Sequence, residues 1–363
     1  SVSLLIREEV VVPLQRIVRT VLAFKKDPLK PLRPSGPGPN HHEVVLIEGA
    51  LTKIATLLQL GFGEAGANII QHNMRHGQLR VNSDVPGRVV NAIYGFCDIR
   101  NFTDCTEALQ GDVVKLVNEI ANVVHQSVID NLGTPNKNIG DAFLLVWKPK
   151  GAHTITEVAD SALRSNIRVI VEISQSRNLE RWANKPGIQA RLPGYHVTMG
   201  FGLHFGWAIE GAIGSAHKID ASYLSPHVNM ASRLEAATKQ YGVAILLSED
   251  FYSLLSVDVQ NLCRFVDRVT LKGSLKPLRL YTYDVPARRA WGGTLDDNIR
   301  VNAASLEDFF TRLVPPAVDA AFRDLWAFAT DHYMGGPEGC DADWGMAREV
   351  LSQLSRERPT DGP

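Results

Sequence analysis

Apolar residues along this chain first recur at helical spacing and then gather in short strand-like runs, and that change divides it. Residues 1–24 carry a helical stripe: Leu14, Ile17, Val18, Val21 and Leu22 are spaced by three and four, and Pro13 suits a first helical turn. Such a stripe serves either as a dimerising stalk or as a helix packed on a core. Between Lys25 and Asn40, Pro28, Pro31, Pro34, Pro37 and Pro39 predict a loop or linker. Residues 43–75 return to helical spacing. From about Arg88 the pattern changes to short runs rich in Val, Ile, Tyr and Phe. Val89–Phe96 reads as a strand, Glu107–Leu132 as an amphipathic helix, and Asn136–Trp147 as two strands joined at Gly140-Asp141. A helix over Ile155–Asn178 and a polar insertion loop over Asn178–Gly194 follow. Tyr195–Ile213 reads as a hairpin turning near Gly206, and Val228–Tyr241 as a helix. Val243–Leu247, Cys263–Val269 and Leu278–Val285 are short strands. Helical spacing returns over Leu306–Asp331 and Trp344–Leu354. Strands and helices in this alternation predict an α/β or α+β architecture.

Composition narrows the function classes. The 363 residues are 45% hydrophobic and 21% charged with a net charge of −1, enough for one large domain or two moderate ones and without the basic excess of a nucleic-acid surface. No apolar run reaches the roughly 20 residues of a membrane span, and no signal-peptide pattern is present. Cys97, Cys105, Cys263 and Cys340 form no CxxC pair and read as reduced thiols of an intracellular, cytoplasmic protein. The chain opens at Ser1, so it can be a piece of something longer. Gly61-Phe-Gly-Glu-Ala-Gly66 matches the dinucleotide fingerprint GxGxxG, but that fingerprint follows a strand and Thr52–Leu60 reads as helix. A packing turn is the better reading.

Two acids occupy positions suited to metal. In Phe96-Cys-Asp-Ile-Arg-Asn-Phe-Thr103, Asp98 leaves a hydrophobic strand where a loop and helix begin, and the following amides, at Phe102 and Thr103, can face phosphate oxygens. In Lys137-Asn-Ile-Gly-Asp-Ala-Phe-Leu-Leu-Val-Trp147, Asp141 sits at a tight turn. If those strands flank the first, the two carboxylates lie side by side and repel unless cations sit between them. Mg²⁺ takes one or two carboxylates plus substrate phosphates, and a pair of ions about 3.5–4 Å apart clamps an in-line phosphoryl displacement. Spacing alone equally allows Asp98 as a helix cap and Asp141 as a turn residue.

These segments resemble the class III adenylyl and guanylyl cyclases. Phe96–Thr103 looks like the family's first metal motif and Ile139-Gly-Asp-Ala142 like its second. Leu203-His-Phe-Gly-Trp-Ala-Ile-Glu-Gly-Ala-Ile-Gly214 is similar to its glycine-containing hairpin, Val228–Gly242 to its transition-state helix, and Leu271–Tyr281 to its closing strand. The resemblance implies a ferredoxin-like α+β fold, a palm-like βαββαβ sheet over residues 88–286. Around it lie a helical stalk and linker (1–40), a helical lead-in (41–87) and a helical C-terminal extension (287–363). It further implies two Mg²⁺ or Mn²⁺ per site held by Asp98, Asp141 and the Ile99 carbonyl, Asn229 on the ribose and Arg233 on the α-phosphate. ATP would be the substrate, in a head-to-tail homodimer with two interface sites behind an upstream sensor or membrane domain. Asn229 and Arg233 are four apart and share one helical face, and an arginine fork suits phosphate oxygens. The bland alternative pairs an exposed Arg233 with an acid such as Glu235 and makes Asn229 a helix cap.

The resemblance also implies that two positions read the base, and these match Lys137 and Ser222. Lys137, whose ammonium only donates, suits the adenine N1 acceptor, whereas guanine N1 carries a hydrogen. Ser222 can accept from an adenine amino group or donate to a guanine carbonyl. The resemblance also has departures. Ser225-Pro-His-Val-Asn229 replaces the usual Gly-Asp-x-Val-Asn, so this loop is expected to be remodelled, with His227 at the surface. Ser274 stands where the triphosphate-contacting lysine is usual, leaving Lys272 or Lys276 as substitutes.

Overall fold

The computed structural model describes residues 11–26, 46–47, 49–58, 61, 66, 86–215, 218–271, 276–286, 309–310, 316–334 and 344–357. They form two compact units: residues 1–90 with 208–224, and residues 91–207 with 225–363.

The first unit contains helix α1 (Val12–Lys26), with Pro13 in its first turn as expected, and a helical stretch over 49–58. Leu14, Val18 and Leu22 of α1 are exposed. The helical state of 52–58 agrees with the dismissal of the GxGxxG match, although four of its residues, 62–65, lie outside the described set. The proline-rich stretch 27–40 also lies outside it. The buried Glu210 accepts from Arg88 (3.1 Å) and from the Tyr223 hydroxyl (2.7 Å), so its charge is not left orphaned.

The second unit holds most of the sheet. After β1 (Arg88–Ile99) come helices α2 (Phe102–Leu109) and α3 (Val113–Asp130), strands β2 (Gly133–Ile139) and β3 (Ala142–Trp147), and helix α4 (Ile155–Gln175). Strand β4 (Met199–Ser215) completes a βαββαβ unit, with neighbours in the order β2-β3-β1-β4 and antiparallel β2–β3 and β1–β3 pairs. This is the expected α+β, ferredoxin-like arrangement. Beyond β4 the sheet continues through β6 (Ile245–Ser248), β8 (Leu278–Thr282) and β7 (Arg264–Val269). Period-two alternation sorts the faces. Ile93, Cys97, Phe143, Leu145, Ile245 and Leu247 enter one core with Leu116 and Ile120 of α3 and Leu163 and Ile167 of α4. Leu246 points the other way, against Met230 and Leu234 of helix α7 (Pro226–Tyr241). Near the C-terminus, α8 (Ala320–Met334) packs on β7, with the Trp326 indole donating to the Phe265 carbonyl at 2.7 Å.

Several sequence expectations are corrected. The single helix expected over Glu107–Leu132 is two, separated by a 3₁₀ turn at Gln110–Asp112 where Gln110 takes a positive φ of 48° beside Gly111, a poor helix former. The expected loop at Asn178–Gly194 is two short helices, α5 (Arg177–Ala183) and α6 (Pro186–Arg191). Ser176 caps the first, Pro186 opens the second, and Leu179, Ala183 and Ile188 are buried. Their apolar signal is only one residue per turn, which is why the segment reads as polar. Tyr195–Ile213 is not a hairpin turning at Gly206. β4 runs straight through to Ser215 and pairs antiparallel with β5 (Lys218–Leu224). Of the helix expected over Leu306–Asp331, residues 309–310 are helical, 306–308 and 311–315 lie outside the described residues, 316–319 are non-helical, and a regular helix runs over Ala320–Met334. No helix among the described residues is long and apolar enough to cross a membrane.

Candidate active site

Pairing of β1 with β3 brings the two acids together. Asp98 lies opposite Ala142 in the register, and the Ile99 amide donates to the Asp141 carbonyl at 3.4 Å. Alternation along β1 buries Cys97 and Ile99 in the main core and turns Asp98 to the other face. The Ile99 side chain is buried in the main core, so a contribution of this residue to the site would come from its backbone carbonyl. Asp141 follows Gly140, whose φ of 67° closes the β2–β3 turn. Burial, and then the charge of Asp141, push the Asp98 carboxyl above its usual range, while Lys239 and Arg100 pull it down. Two crowded hard-oxygen donors of this kind fit a divalent cation, which relieves their repulsion.

Helix α7 lies on the same face of the sheet as Asp98. Ser225 caps it, its hydroxyl accepting from the His227 amide (3.0 Å), and Pro226 occupies the first turn, so the altered loop makes a regular helix start. Gly202 of β4 lets the helix sit close, since a Cβ there would collide with the Ala231 carbonyl and the Glu235 amide. Asn229 is exposed and Arg233 half-buried, and neither makes a hydrogen bond or ion pair among the described residues. Glu235, the partner that the bland alternative gave to Arg233, instead holds Arg100 at 2.8 Å and is buried.

Lys137 lies on β2 opposite Leu144, half-buried. Phe102 and Thr103 open α2 after Asn101, which takes a left-handed φ of 55° and makes no side-chain cap, so first-turn amides are left for another acceptor. Lys276 is exposed just before β8. Lys272 lies outside the described residues. Ser222 lies in the first unit, on β5 opposite Gly211. His227 is not at the surface: it is half-buried, its Nδ1 2.8 Å from Nε2 of His204, with the rings stacked at 5.1 Å. Burial, and then His227, hold the His204 imidazole down to about 3. A Cβ at Gly206 would strike the His227 ring, which is the reason for a glycine in mid-strand.

Sequence reasoning missed the network around Arg100. Its guanidinium reaches both Glu235 and Thr238, its amide donates to the Thr198 carbonyl (2.9 Å), and its carbonyl accepts from the Tyr195 hydroxyl (3.2 Å). The available signal was an arginine two residues after the first acid, but its partners lie 135 and 138 positions away.

Comparison with known proteins agrees with this geometry. The RasGEFs all helical domain model matches residues 2–75. The model for the adenylate and guanylate cyclase catalytic domain matches residues 89–285, more than half of the chain. An adenylate cyclase of Anabaena cylindrica is 28% identical over 189 residues, 51% of this chain and 35% of that protein. The terminal-differentiation specific adenylate cyclase of Dictyostelium discoideum is 28% identical over 191 residues, 51% of this chain and 8% of that protein. The chain therefore spans about a third or less of these curated relatives. A solved bacterial light-regulated adenylyl cyclase shares the fold, with a TM-score of 0.52 at 23% identity over 68% of this chain and 66% of that one. Strand order, paired acids and the family match over residues 89–285 agree: the chain belongs to the class III adenylate and guanylate cyclase catalytic domain family.

Proposed function

We propose that this chain is an adenylyl cyclase that converts ATP to 3′,5′-cyclic AMP and pyrophosphate at the interface of a head-to-tail homodimer. The observation that carries the reading is the apposition of Asp98 and Asp141 by β1–β3 pairing, in a chain that also presents Asn229 and Arg233, both without partners among the described residues, one turn apart on α7. Asp98, Asp141 and the Ile99 carbonyl would hold two Mg²⁺ or Mn²⁺. When bound, these ions lower the pKa of the ribose 3′-hydroxyl and neutralise the triphosphate. The 3′-oxygen bonds to the α-phosphorus, its proton passes to water, and the bond to the β-phosphate oxygen breaks. Asn229 orients the ribose, and the Arg233 fork steadies charge developing on the α-phosphoryl oxygens. First-turn amides at Phe102 and Thr103, with Lys272 or Lys276, would hold the remaining phosphates. Lys137 and Ser222 would read the base.

In this reading the acids come from one subunit and Asn229 and Arg233 from its partner. Residues 1–40 form a stalk and linker, 41–87 a lead-in, 88–286 the catalytic segment and 287–363 a helical extension. The protein is cytoplasmic and answers to an upstream sensor or membrane domain. The exposed Leu14, Val18 and Leu22 of α1 support the stalk assignment.

The test is incubation of the chain with ATP or GTP and Mg²⁺ or Mn²⁺, with cyclic nucleotide quantified by mass spectrometry and Asp141→Ala as control. Cyclic AMP from the wild type alone is the expected result. Predominant cyclic GMP would move the assignment to a guanylyl cyclase, and no product at high protein concentration would favour a regulatory, catalytically silent module or a missing activator.

A further inference from the structure

The Arg100 guanidinium follows Asp98 by two residues on the same face of the sheet and lies close enough to act on its charge. A cation so placed is a direct competitor for a carboxylate that must hold metal. The structure holds it elsewhere. One nitrogen donates to Glu235 Oε1 at 2.8 Å and another to the Thr238 hydroxyl, which itself donates to the Glu235 carbonyl. The pair is nearly dry, with side-chain exposures of 15% for Arg100 and 6% for Glu235. Gly200 makes the route possible, because a Cβ there would occupy the space of the guanidinium. The Arg100 backbone is fastened separately, to the Thr198 carbonyl and the Tyr195 hydroxyl, so the clamp acts on the side chain alone. Lys239, one turn beyond Glu235, is the other cation whose field reaches Asp98, and it is exposed.

We infer that Glu235 and Thr238 are positioning residues that hold Arg100 off Asp98, keeping that carboxylate open to divalent cations. The inference rests on the reading of Asp98 as a metal ligand. Without Glu235, Arg100 falls back on the nearest carboxylate and competes with the ion. An opposite charge within about 4–6 Å is worth one or more powers of ten in a carboxylate's proton affinity, so once Arg100 closes on Asp98 a weakening of about tenfold is expected for a cation.

The experiment is Mn²⁺ binding followed by electron paramagnetic resonance, on the full chain with a non-cyclisable ATP analogue. Circular-dichroism melts check the fold of each variant. Wild type, Asp98→Asn, Glu235→Gln and the double variant Arg100→Met with Glu235→Gln are compared. Glu235→Gln should raise the apparent Mn²⁺ Kd about tenfold, and the double variant, which has lost the competitor, should return to within about twofold of wild type. Should Glu235→Gln not fold, Thr238→Val removes one acceptor without stranding a buried charge and should raise the Kd by about threefold. A folded Glu235→Gln with unchanged Kd overturns the inference, as does a double variant as weak as the single one, which would make the pair a packing element. Binding that Asp98→Asn leaves intact would instead overturn the metal reading on which the inference stands.

Discussion

Gly202→Ala tests how closely helix α7 must approach the sheet. The added Cβ would meet the Ala231 carbonyl oxygen, the Glu235 amide nitrogen and, at 2.8 Å, the Leu234 Cβ. Two of these are helix backbone atoms, which cannot rotate away as a side-chain tip can. The helix must therefore shift outward by a substantial part of an ångström, loosening Met230 and Leu234 against Leu246 and Leu280. Overpacking of this kind costs about 1–3 kcal/mol. For a domain of this size, that lowers Tm by about 2–4 °C per kcal/mol. Asn229 and Arg233 ride on the same helix, and a misplacement of about 1 Å can cost a hundredfold in rate. Gly111→Ala is the control, since its Cβ meets nothing within 4 Å. Thermal melts and cyclic nucleotide formation are measured on both. Gly202→Ala should melt lower and lose most activity, whereas Gly111→Ala should match wild type. Equal melting and equal activity for the two variants would refute the packing argument.

Arg233→Ala should lower kcat by about 10²–10³-fold, as for removal of one preorganised donor, with little change in Tm, because the side chain makes no hydrogen bond or ion pair among the described residues; a large fall in Tm would show it to be structural. Asp98→Asn should abolish cyclisation without lowering the melting temperature of the metal-free protein at pH 7. Burial and Asp141 raise the Asp98 pKa on folding, so the native state binds that proton more tightly than the unfolded chain and loses stability as the pH rises through the carboxylate range. The stability advantage of Asn should therefore grow between pH 4 and 7 in paired melts and vanish at lower pH. Lys137→Glu should shift product towards cyclic GMP in a competition of ATP with GTP, and an unchanged product ratio would remove Lys137 from base reading.

Local pattern alone determined much of this chain. Short apolar runs rich in β-branched and aromatic residues marked β1 and β3, the Gly140-Asp141 turn marked the second acid, and the four-residue spacing of Asn229 and Arg233 placed both on one face of α7. These features are legible because strand and helix periods, turn chemistry and side-chain spacing act over a few residues. Other features depended on segments far apart in sequence. The polar stretch Asn178–Gly194 becomes helical because Leu179, Ala183 and Ile188 find a core supplied by other elements. Gly206 looked like a turn and is instead the floor beneath the His227 ring, 21 positions on. Glu235, two residues from Arg233 along the helix, was open to pairing with either arginine, and only the packing of α7 on the sheet gave it to Arg100. Periodicity assigns a residue to a face, but its partner on that face is chosen by the sheet order, which no local window contains.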